Sequence, residues 1–593
     1  MEIIIRERLA RLREQMNLAG VKAWYISGTD PHQDEYLPLH WQSRTFISGF
    51  TGSAGSVIVT ENDAALWTDS RYFLQAEEQL RRTGIRLMKM RMESTPTYAE
   101  WLASILGKDD LVGTDAACMS VSAYKSFRDE LKLKKLHLKN TGDLLVSVWD
   151  HRPELPVTTV FEHELRYAGE SRLTKIARIR GEMKKSGAVA SLVTALDDLA
   201  WTFNLRGQDV DFNPVFVAYA LITDKQVFLY INKEKVPDEL KQKLHEEDIQ
   251  LKPYEAVFED LKSFNGVILI DPTRTNQALM ESIPSGVEII NQVSVPAMLK
   301  AVKSEAELKN IRETMRKDGV AMVEFLYWLD QTIGKQVVTE WEIAQKLSYF
   351  RSLQEGYKGS SFFPIIGYKE AGAIIHRSVT EETAQPVLDE GILLFDSGGQ
   401  YLTGTTDITR TVTLSEPTRQ QKTDFTLVLK GMIGLSMAKF PAGTKGCNLD
   451  ILARKPMWEH GLNYGHGTAH GIGYFLNVHE GPMSIRQEYN EHAIVPGMVM
   501  SNEPGFYREG GYGLRTENMM VCVEAERTEF GRFYGFQTLT LCPIDLKLVD
   551  RELLTPEETD WINDYHQWCY KELSGLLTGE KKEFLKQITA KLN

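Results

Sequence analysis

The sequence predicts an α/β (α+β) protein in which two related α/β domains precede a third domain of helices and glycine-rich hairpins. Helical and strand patterns alternate over the first 150 residues, and a similar alternation begins again after a proline-containing break at 151–156. Near Lys300 the pattern changes to a long amphipathic helix followed by hairpins. The 593 residues exceed what one core usually supports, so several domains are expected.

The first two domains are expected at 1–155 and 156–300. The first contains the helix RERLARLREQM, the strand VKAWYIS, the glycine-rich hairpin FTGSAGSVIVT and the helix RYFLQAEEQLRR. The second contains the helix SRLTKIARIRGEMKKSG and three predicted strands, LAWTFNLRG, FVAYALIT and KQVFLYIN. Because Trp24 and Trp201 each follow an alanine in a predicted strand, we interpret the two blocks as a duplicated unit.

The third domain is expected at 301–593. It begins with the helix SEAELKNIRETMRKDGVAMVEFLYWLD. From about residue 550 it ends in a helical extension rich in aromatic residues, PEETDWINDYHQWCYKEL. These aromatics belong either to the core or to a subunit contact.

The composition excludes several classes of protein. Hydrophobic residues make up 42% and charged residues 25%, which is ordinary for a globular protein. With 68 basic and 81 acidic residues the net charge is −13. The sequence therefore lacks the excess of basic residues that would indicate a nucleic-acid partner. The five cysteines form no C-x-x-C pair, which suits a reducing compartment. The amphipathic N-terminus and the absence of a long apolar run predict a cytoplasmic protein with no membrane partner.

Two pairs of acidic residues are arranged as in hairpins. Asp396 follows the apolar run ILLF and Asp407 precedes ITRTVTL, so the two aspartates are expected to face each other across a ladder. Glu503 follows GMVMSN and Glu517 lies in LRTENMMVCV, with Gly510 at their midpoint. Four such carboxylates would repel one another unless cations lay among them, and two metal ions roughly 3.5–4 Å apart are a known solution.

Histidines cluster between these two hairpins. His466 and His470 lie in NYGHGTAHGIG, and His479 follows in NVHEGP. The motif is not H-E-x-x-H, because position 467 is glycine, so a zincin is excluded. His376, in GAIIHRSV, is a weaker signal by itself.

A glycine-rich stretch in the first domain resembles a phosphate-binding loop. It comprises residues 49–55, GFTGSAG, but the sequence has no G-x-x-x-x-G-K-[ST] motif. We therefore expect a tight structural turn there.

The motifs of the last third resemble those of the pita-bread metallopeptidases. The segments are FDSGGQYLTGTTDITRT, GHGTAHGIGYFLNVHEGP, SNEPGFY and LRTEN. FISGFTGSAGSVIVT, WTDSRYFLQA and WINDYH resemble the long three-domain form of aminopeptidase P, the Xaa-Pro aminopeptidases. The resemblance implies a pita-bread catalytic domain that removes the first residue of peptides whose second residue is proline. A hydroxide held between two divalent ions would carry out the hydrolysis.

The same resemblance assigns roles to individual residues. The implied metal ligands are Asp396, Asp407, His470, Glu503 and Glu517, with Asp407 and Glu517 bridging the ions. His376 and His479 are the implied candidates for proton transfer and substrate contact, His466 is a pocket residue, and Arg71 is a substrate contact in a homodimer. From the chemistry of such a site, Glu503 is the candidate proton acceptor. Four carboxylates with one imidazole suit Mn²⁺, although Co²⁺, Zn²⁺ and Fe²⁺ also fit.

Three alternatives are considered at the level of sequence. A prolidase-like Xaa-Pro dipeptidase would share the same five ligands, and only the additional N-terminal domain and the C-terminal extension argue against it. A binding role without metal, or a metal-free creatine-type hydrolysis, is disfavoured because the chain keeps all five ligands.

Overall fold

The computed structural model describes residues 2–377 and 379–592, which form two compact units. Unit 1 comprises Met1–Glu164 and Glu170–Met298, and unit 2 comprises Leu165–Gly169 and Leu299–Asn593. The domain boundaries expected from the sequence stay predictions. Among the described residues, none of the helices combines the length and the apolar character that crossing a membrane requires.

The first half of unit 1 is a six-stranded sheet. Its strands are β1 (Ala23–Ile26), β2 (Ser56–Thr60), β3 (Ala64–Thr68), β4 (Arg86–Lys89), β5 (Leu111–Thr114) and β6 (His137–Asn140). The helices are α1 (Glu2–Ala19), α2 (Ser43–Ser48), α3 (Phe73–Gln79), α4 (Tyr98–Ala103) and α5 (Val121–Leu133). The order is β4-β3-β2-β1-β5-β6, in which β1–β2 and β2–β3 are antiparallel and the other pairs parallel. Alternate residues of the central strands enter two separate apolar cores, so both faces of the sheet are buried.

The second half of unit 1 repeats this topology. Its strands are β7 (Phe161–Glu162), β8 (Ala190–Val193), β9 (Leu205–Arg206), β10 (Tyr219–Thr223), β11 (Val227–Tyr230), β12 (Ile249–Lys252), β13 (Val267–Ile270) and β14 (Glu288–Asn291). The helices along this part of the chain are α6 (Leu165–Ala168), α7 (Arg172–Ser186), α8 (Leu196–Phe203), α9 (Asp238–Glu246), α10 (Ala256–Lys262), α11 (Gln277–Ser282) and α12 (Val295–Ala301). The order β12-β11-β10-β8-β13-β14 has the same parallel and antiparallel pairs as the first sheet. The predicted duplication of an α/β unit is confirmed.

One predicted strand of the duplicated unit is wrong. The segment LAWTFNLRG is not a strand around Trp201, because that residue lies in α8, and the counterpart of β1 is β8. Two aspartates in the first turn favour this helix, and Asn204 ends it in a left-handed conformation. All eight residues of α8 are buried, so the segment lacks the polar face that marks most helices in a sequence.

A loop from the first half of unit 1 is held by the second half. His32 bonds through Nδ1 to the carbonyl oxygen of Thr194 at 2.8 Å and through Nε2 to the hydroxyl of Tyr254 at 2.9 Å. The Asn276 amide donates to the carbonyl oxygen of Pro31 at 2.9 Å. These buried hydrogen bonds connect the two halves of unit 1.

The glycine-rich loop at 49–55 is a structural turn, as expected. The buried guanidinium of Arg44 donates to the carbonyl oxygens of Gly52 and Gly55. Carbonyl oxygens that converge on a cation are the reverse of a phosphate cradle, which is built from N–H groups.

The longer helices of unit 2 are α13 (Glu305–Thr332), α14 (Glu340–Ser352), α15 (Arg419–Ser436), α16 (Gly446–Trp458), α17 (Pro556–Leu573) and α18 (Gly579–Ile588). Four of them begin at strong sequence signals. At α13, α14, α15 and α17 a Ser or Thr side chain and a Glu or Gln three residues later each accept the other's backbone N–H.

Two sheets of unit 2 carry the predicted site. The strands of the unit are β15 (Val338–Thr339), β16 (Tyr357–Ser360), β17 (Ile365–Tyr368), β18 (Pro386–Val387), β19 (Ile392–Ser397), β20 (Gly399–Tyr401), β21 (Gly404–Thr405), β22 (Ile408–Thr413), β23 (Lys439–Pro441), β24 (Ala469–Gly471), β25 (Glu480–Ile485), β26 (Val499–Asn502), β27 (Gly505–Arg508), β28 (Tyr512–Arg515), β29 (Asn518–Thr528) and β30 (Gly531–Thr538). One sheet has the order β17-β19-β22, and the other has the order β23-β30-β29-β26-β24-β25. This mixed architecture of helices and sheets confirms the predicted α/β (α+β) fold class.

The aromatic residues of the C-terminal extension belong to the core of unit 2. Tyr565 is buried, and Trp561 and Trp568 are partly buried against the same apolar cluster. Of the two interpretations left open by the sequence, the structure therefore favours the core.

Candidate metal centre

The first pair of acids lies on the β19–β22 hairpin, but not in the expected register. Asp396 pairs with Thr409, so Asp407 is its diagonal neighbour and lies just before β22. The expectation that the two aspartates oppose each other is therefore wrong by two residues. Since a shift of two keeps a side chain on the same face of a strand, both carboxylates still point to one side.

The second pair follows the predicted register. Asn502 pairs with Asn518 and Gly505 with Arg515, which places Glu503 opposite Glu517. The turn falls at Gly510, which has a left-handed φ of 68° as a glycine allows. The ladder is interrupted at both glutamates, and their backbone N–H groups instead donate to Thr468 and Thr409. These two bonds tie the second hairpin to β22 and to the segment before β24.

His470 joins the acids from β24. Its Nε2 lies 3.4 Å from Oδ2 of Asp407 and 3.5 Å from Oε1 of Glu503. Its Nδ1 lies 2.9 Å from the carbonyl oxygen of Gly471, which can only accept a proton. The neutral ring is therefore protonated at Nδ1, and the lone pair of Nε2 points at the carboxylates, as in a metal-ligating histidine.

The donor set fits divalent cations. Ligand atoms of Asp407, His470 and Glu517 all lie within 4.8 Å of one another. Asp396 Oδ1 and Glu517 Oε1 are buried and accept no hydrogen bond from any residue between 2 and 592 that the structure describes. The second oxygen of each carboxylate is held by the protein, through Arg515 at 2.5 Å and Thr409 at 2.7 Å respectively. A carboxylate with one oriented oxygen and one unpartnered oxygen is suited to ligate a metal.

The electrostatics of the cluster also call for cations. Burial raises the pKa of Asp396 to about 6 and the pKa of Glu503 to about 7, and the charge of Asp407 adds to both shifts. Burial and the neighbouring carboxylates raise the pKa of Glu517 well above its ordinary range. Burial disfavours the His470 imidazolium, yet Asp407 and Glu503 raise its pKa to about 9. The protein thus favours positive charge at this position, which divalent ions supply without protonating the ligands.

His466 is connected to the acids through two intermediate side chains. Its Nε2 lies 2.9 Å from the hydroxyl of Tyr507, which accepts a hydrogen bond from Arg515 Nη1 at 2.5 Å. Arg515 in turn donates to Asp396. His466 therefore borders the cluster without reaching it through this path.

The remaining predicted residues lie at different distances from this arrangement. The ring of His479 is perpendicular to that of His470, with centroids 4.4 Å apart. His376 is half-buried and follows the short 3₁₀ turn Lys369–Ala373, which packs against β28. Arg71 lies in unit 1, where its guanidinium pairs with Asp69 at 2.8 Å. The roles assigned to these residues stay predictions.

Two polar partners of the acids were missed from the sequence. Thr409 lies two residues after Asp407, and Arg515 lies two residues before Glu517. Residues two apart share one face of a strand. A search for polar residues at this spacing from each acid would have found both.

The fold and the site together define a metallopeptidase. Residues 309–524 match Metallopeptidase family M24, and residues 532–592 match the C-terminal region of that family. Residues 8–147 and 151–307 each match a Creatinase/Prolidase N-terminal domain.

Relatives that align along nearly the whole chain narrow the class. A "Probable Xaa-Pro aminopeptidase P" of Laccaria bicolor is 40% identical, covering 97% of this chain and 91% of the relative. "Xaa-Pro aminopeptidase 1" of Dictyostelium discoideum is 39% identical, covering 96% and 93%. The X-prolyl aminopeptidase structure from Caenorhabditis elegans, described as a cytosolic enzyme with a di-nuclear active site, is 33% identical with a TM-score of 0.94, covering 98% of each chain. This chain belongs to the Xaa-Pro aminopeptidase P family.

The family assignment confirms the resemblance stated from the motifs. It also favours the aminopeptidase over the prolidase-like dipeptidase, because the similarity extends through both N-terminal domains and the C-terminal region.

Proposed function

We propose that this chain hydrolyses the peptide bond between an N-terminal residue and a following proline. The observation that carries the proposal is the cluster of four carboxylates and His470, in which two buried carboxylate oxygens have no protein partner among the described residues. Membership of the Xaa-Pro aminopeptidase P family indicates the reaction. The cluster provides the metal-binding groups that this reaction requires.

Five residues would hold two divalent ions. They are Asp396, Asp407, His470, Glu503 and Glu517, of which Asp407 and Glu517 would contribute to the binding of both ions. When bound, two such ions polarise the scissile carbonyl group and lower the pKa of a water molecule, so that a nucleophile exists at neutral pH. Oxygen donors with one imidazole favour Mn²⁺, and Co²⁺, Zn²⁺ or Fe²⁺ are the alternatives.

The proposed proton acceptor is Glu503. It lies at the end of an apolar strand, opposite Glu517 and 3.5 Å from His470. Burial raises the pKa of its carboxyl to about 7 when no ion is bound, and the charge of bound ions would lower this pKa again.

The proposed substrate contacts surround the metal ligands. His479, whose ring lies against that of His470, and His376 contact the peptide and move protons. His466 lines the pocket through its contact with Tyr507. Arg71 is proposed as a further substrate contact in a homodimer. The enzyme is proposed to act in the cytoplasm, on peptides and not on nucleic acid or membranes.

The test combines peptide length with metal dependence. Xaa-Pro-Xaa tripeptides and longer peptides are expected to be cleaved efficiently, whereas exclusive cleavage of Xaa-Pro dipeptides would favour the prolidase-like alternative. Exhaustive chelation is expected to abolish turnover, and added Mn²⁺ to restore it. Full turnover by protein that elemental analysis shows to be free of metal contradicts the proposed mechanism.

A further inference from the structure

A buried ion pair outside the metal centre supports the loop that carries Asp396 and Asp407. Asp318, in the middle of α13, accepts from Arg351, at the end of α14, at 2.7 Å (Nε to Oδ1) and 3.3 Å (Nη2 to Oδ2). The two side chains are only 7% and 2% exposed. Burying two charges is costly unless their remaining donors and acceptors also form hydrogen bonds. The other hydrogen-bond partners of Asp318 and Arg351 are therefore part of what keeps this pair buried.

The further partners lie directly beside the two aspartates. Arg351 Nη1 donates to the hydroxyl of Ser397 at 2.8 Å, and Nη2 donates to its carbonyl oxygen at 3.3 Å. Asp318 Oδ1 accepts from the hydroxyl of Thr406 at 3.1 Å. Ser397 follows Asp396 and Thr406 precedes Asp407, so one ion pair bonds to a neighbour of each aspartate.

The loop has little freedom to move at these contacts. The hydroxyl of Thr406 also accepts the backbone N–H of Gly399 at 2.9 Å, and its carbonyl oxygen accepts the hydroxyl of Ser361 at 2.8 Å. A Cβ on Gly398 would lie 1.9 Å from that carbonyl oxygen, so the two ends of the loop touch. The ion pair therefore contacts the point where the two ends of the loop pack against each other. Asp396 lies next to one of these ends and Asp407 next to the other.

We propose that Asp318, together with Arg351, is a positioning residue that fixes the separation of the Asp396 and Asp407 carboxylates. The two like charges at the ends of the loop repel each other, and the hydrogen bonds of Asp318 and Arg351 keep the two ends together. The ion pair thereby sets the affinity of the site for the metal ions. The inference rests on the proposed function, in which both aspartates are metal ligands. Partners of this kind, which orient ligands without touching the metal, typically change metal affinity about 10–100-fold.

Thr406→Val tests the proposal with little change in shape. The full-length protein is stripped of metal and titrated with Mn²⁺, with calorimetry giving the number of ions and their Kd. Loss of the hydroxyl is expected to raise Kd about 10–100-fold. At saturating Mn²⁺ kcat on a Xaa-Pro-Xaa peptide is expected to recover while KM stays unchanged, which a general loss of structure would not produce.

Asp318→Asn and Tyr401→Phe complete the series. Asp318→Asn is expected to raise Kd at least as much, and a thermal unfolding curve shows whether the variant folds with the Arg351 charge left buried. Tyr401→Phe removes a 2.9 Å hydrogen bond to the same oxygen of Asp318 without touching Ser397 or Thr406. It is the matched control, with Kd expected within about 2-fold of the wild type.

The outcomes separate this inference from the function on which it rests. If folded Thr406→Val binds two Mn²⁺ with the wild-type Kd, the positioning role is wrong, even if its unfolding temperature is lower. Weaker binding by Tyr401→Phe equal to that of Thr406→Val also contradicts the role. If the wild-type protein binds no Mn²⁺, the metal centre of the proposed function fails, and the positioning role fails with it.

Discussion

At the scale of single residues, Glu503 can be replaced by a residue of nearly the same shape that carries no charge. Its Oε1 is 3.5 Å from His470 Nε2 and 3.4 Å from the hydroxyl of Ser501. Glu503→Gln keeps the shape but loses the charge and the ability to accept a proton. We expect kcat to fall about 10²–10⁴-fold, kcat/KM to fall with it, and one ion to bind more weakly. Steady-state kinetics alongside metal content checks this expectation.

The matched control for Glu503 is Glu509→Gln. Glu509 is an exposed acid in the turn of the same hairpin, so its substitution is expected to leave kcat and metal content unchanged. Near-normal kcat in Glu503→Gln with two ions bound would show that another group accepts the proton.

His479 is close to a proposed ligand but is not itself assigned to the metal. Its ring lies 4.4 Å from that of His470, centroid to centroid, in an edge-to-face arrangement. His479→Ala is expected to retain both ions while kcat falls about 10²–10⁴-fold, since a proton-transfer group is lost. His460→Ala is the control, because His460 is exposed and bonds to the carbonyl oxygen of Pro456. Loss of metal from His479→Ala would show that His479 is a metal ligand and not a substrate contact.

At the level of elements, the helix α17 of the C-terminal extension packs behind the strands that carry the candidate site. Arg410 follows Thr409 on β22 and donates to the carbonyl oxygen of Glu517 at 2.5 Å and to the hydroxyl of Tyr565 at 2.9 Å. The same hydroxyl lies 3.3 Å from the backbone nitrogen of Cys542, which donates to it. A buried guanidinium needs such partners, so α17 helps to complete the packing beneath β22 and β29.

His566, also on α17, gives this helix a predicted pH dependence. Its Nε2 accepts the backbone N–H of Ile544 at 3.0 Å, so the folded protein holds the ring neutral. Burial and the nearby charge of Arg410 lower the pKa of His566 to about 4. Its ordinary value is about 6.5.

The sign of this dependence follows from proton uptake. Between about pH 6.5 and 4 the unfolded chain binds a proton at His566 that the folded chain does not, so stability falls as the pH is lowered through this window. The loss approaches about 3 kcal/mol at the acid end and is absent above pH 6.5. His566→Gln, which can still accept from Ile544, is expected to lose less stability over the same window. Equal pH slopes for variant and wild type in urea unfolding would contradict the prediction.

At the scale of the whole molecule, the proposed assembly is a homodimer. The chain has a mass of 67.4 kDa, so light scattering is expected to give roughly twice this value at assay concentration. Since the aromatics of α17 pack into the core of their own chain, the subunit contact is expected to use other surfaces. A fully active protein that scatters as a monomer would contradict the dimer and the role proposed for Arg71 within it.

Local sequence was sufficient for the register of the second acidic hairpin and for the starts of several helices. Glu503, Glu517 and their turn at Gly510 could be predicted, because hairpin register follows from a local count and side chains alternate with a period of two. The capped helices of unit 2 could be predicted for the same reason, since a capping box is complete within four residues.

The tertiary structure decided what depends on residues far apart in the chain. Asp396 lies opposite Thr409 and not opposite Asp407, and the loop between the two aspartates packs on Asp318, which lies 88 residues before Thr406. The helix α8 resembled a strand in the sequence because burial on all sides removes the pattern that distinguishes the two. Pattern and spacing thus determined which residues could do chemistry. Packing between distant segments determined how those residues are aligned, because a local sequence carries no record of what will lie against it.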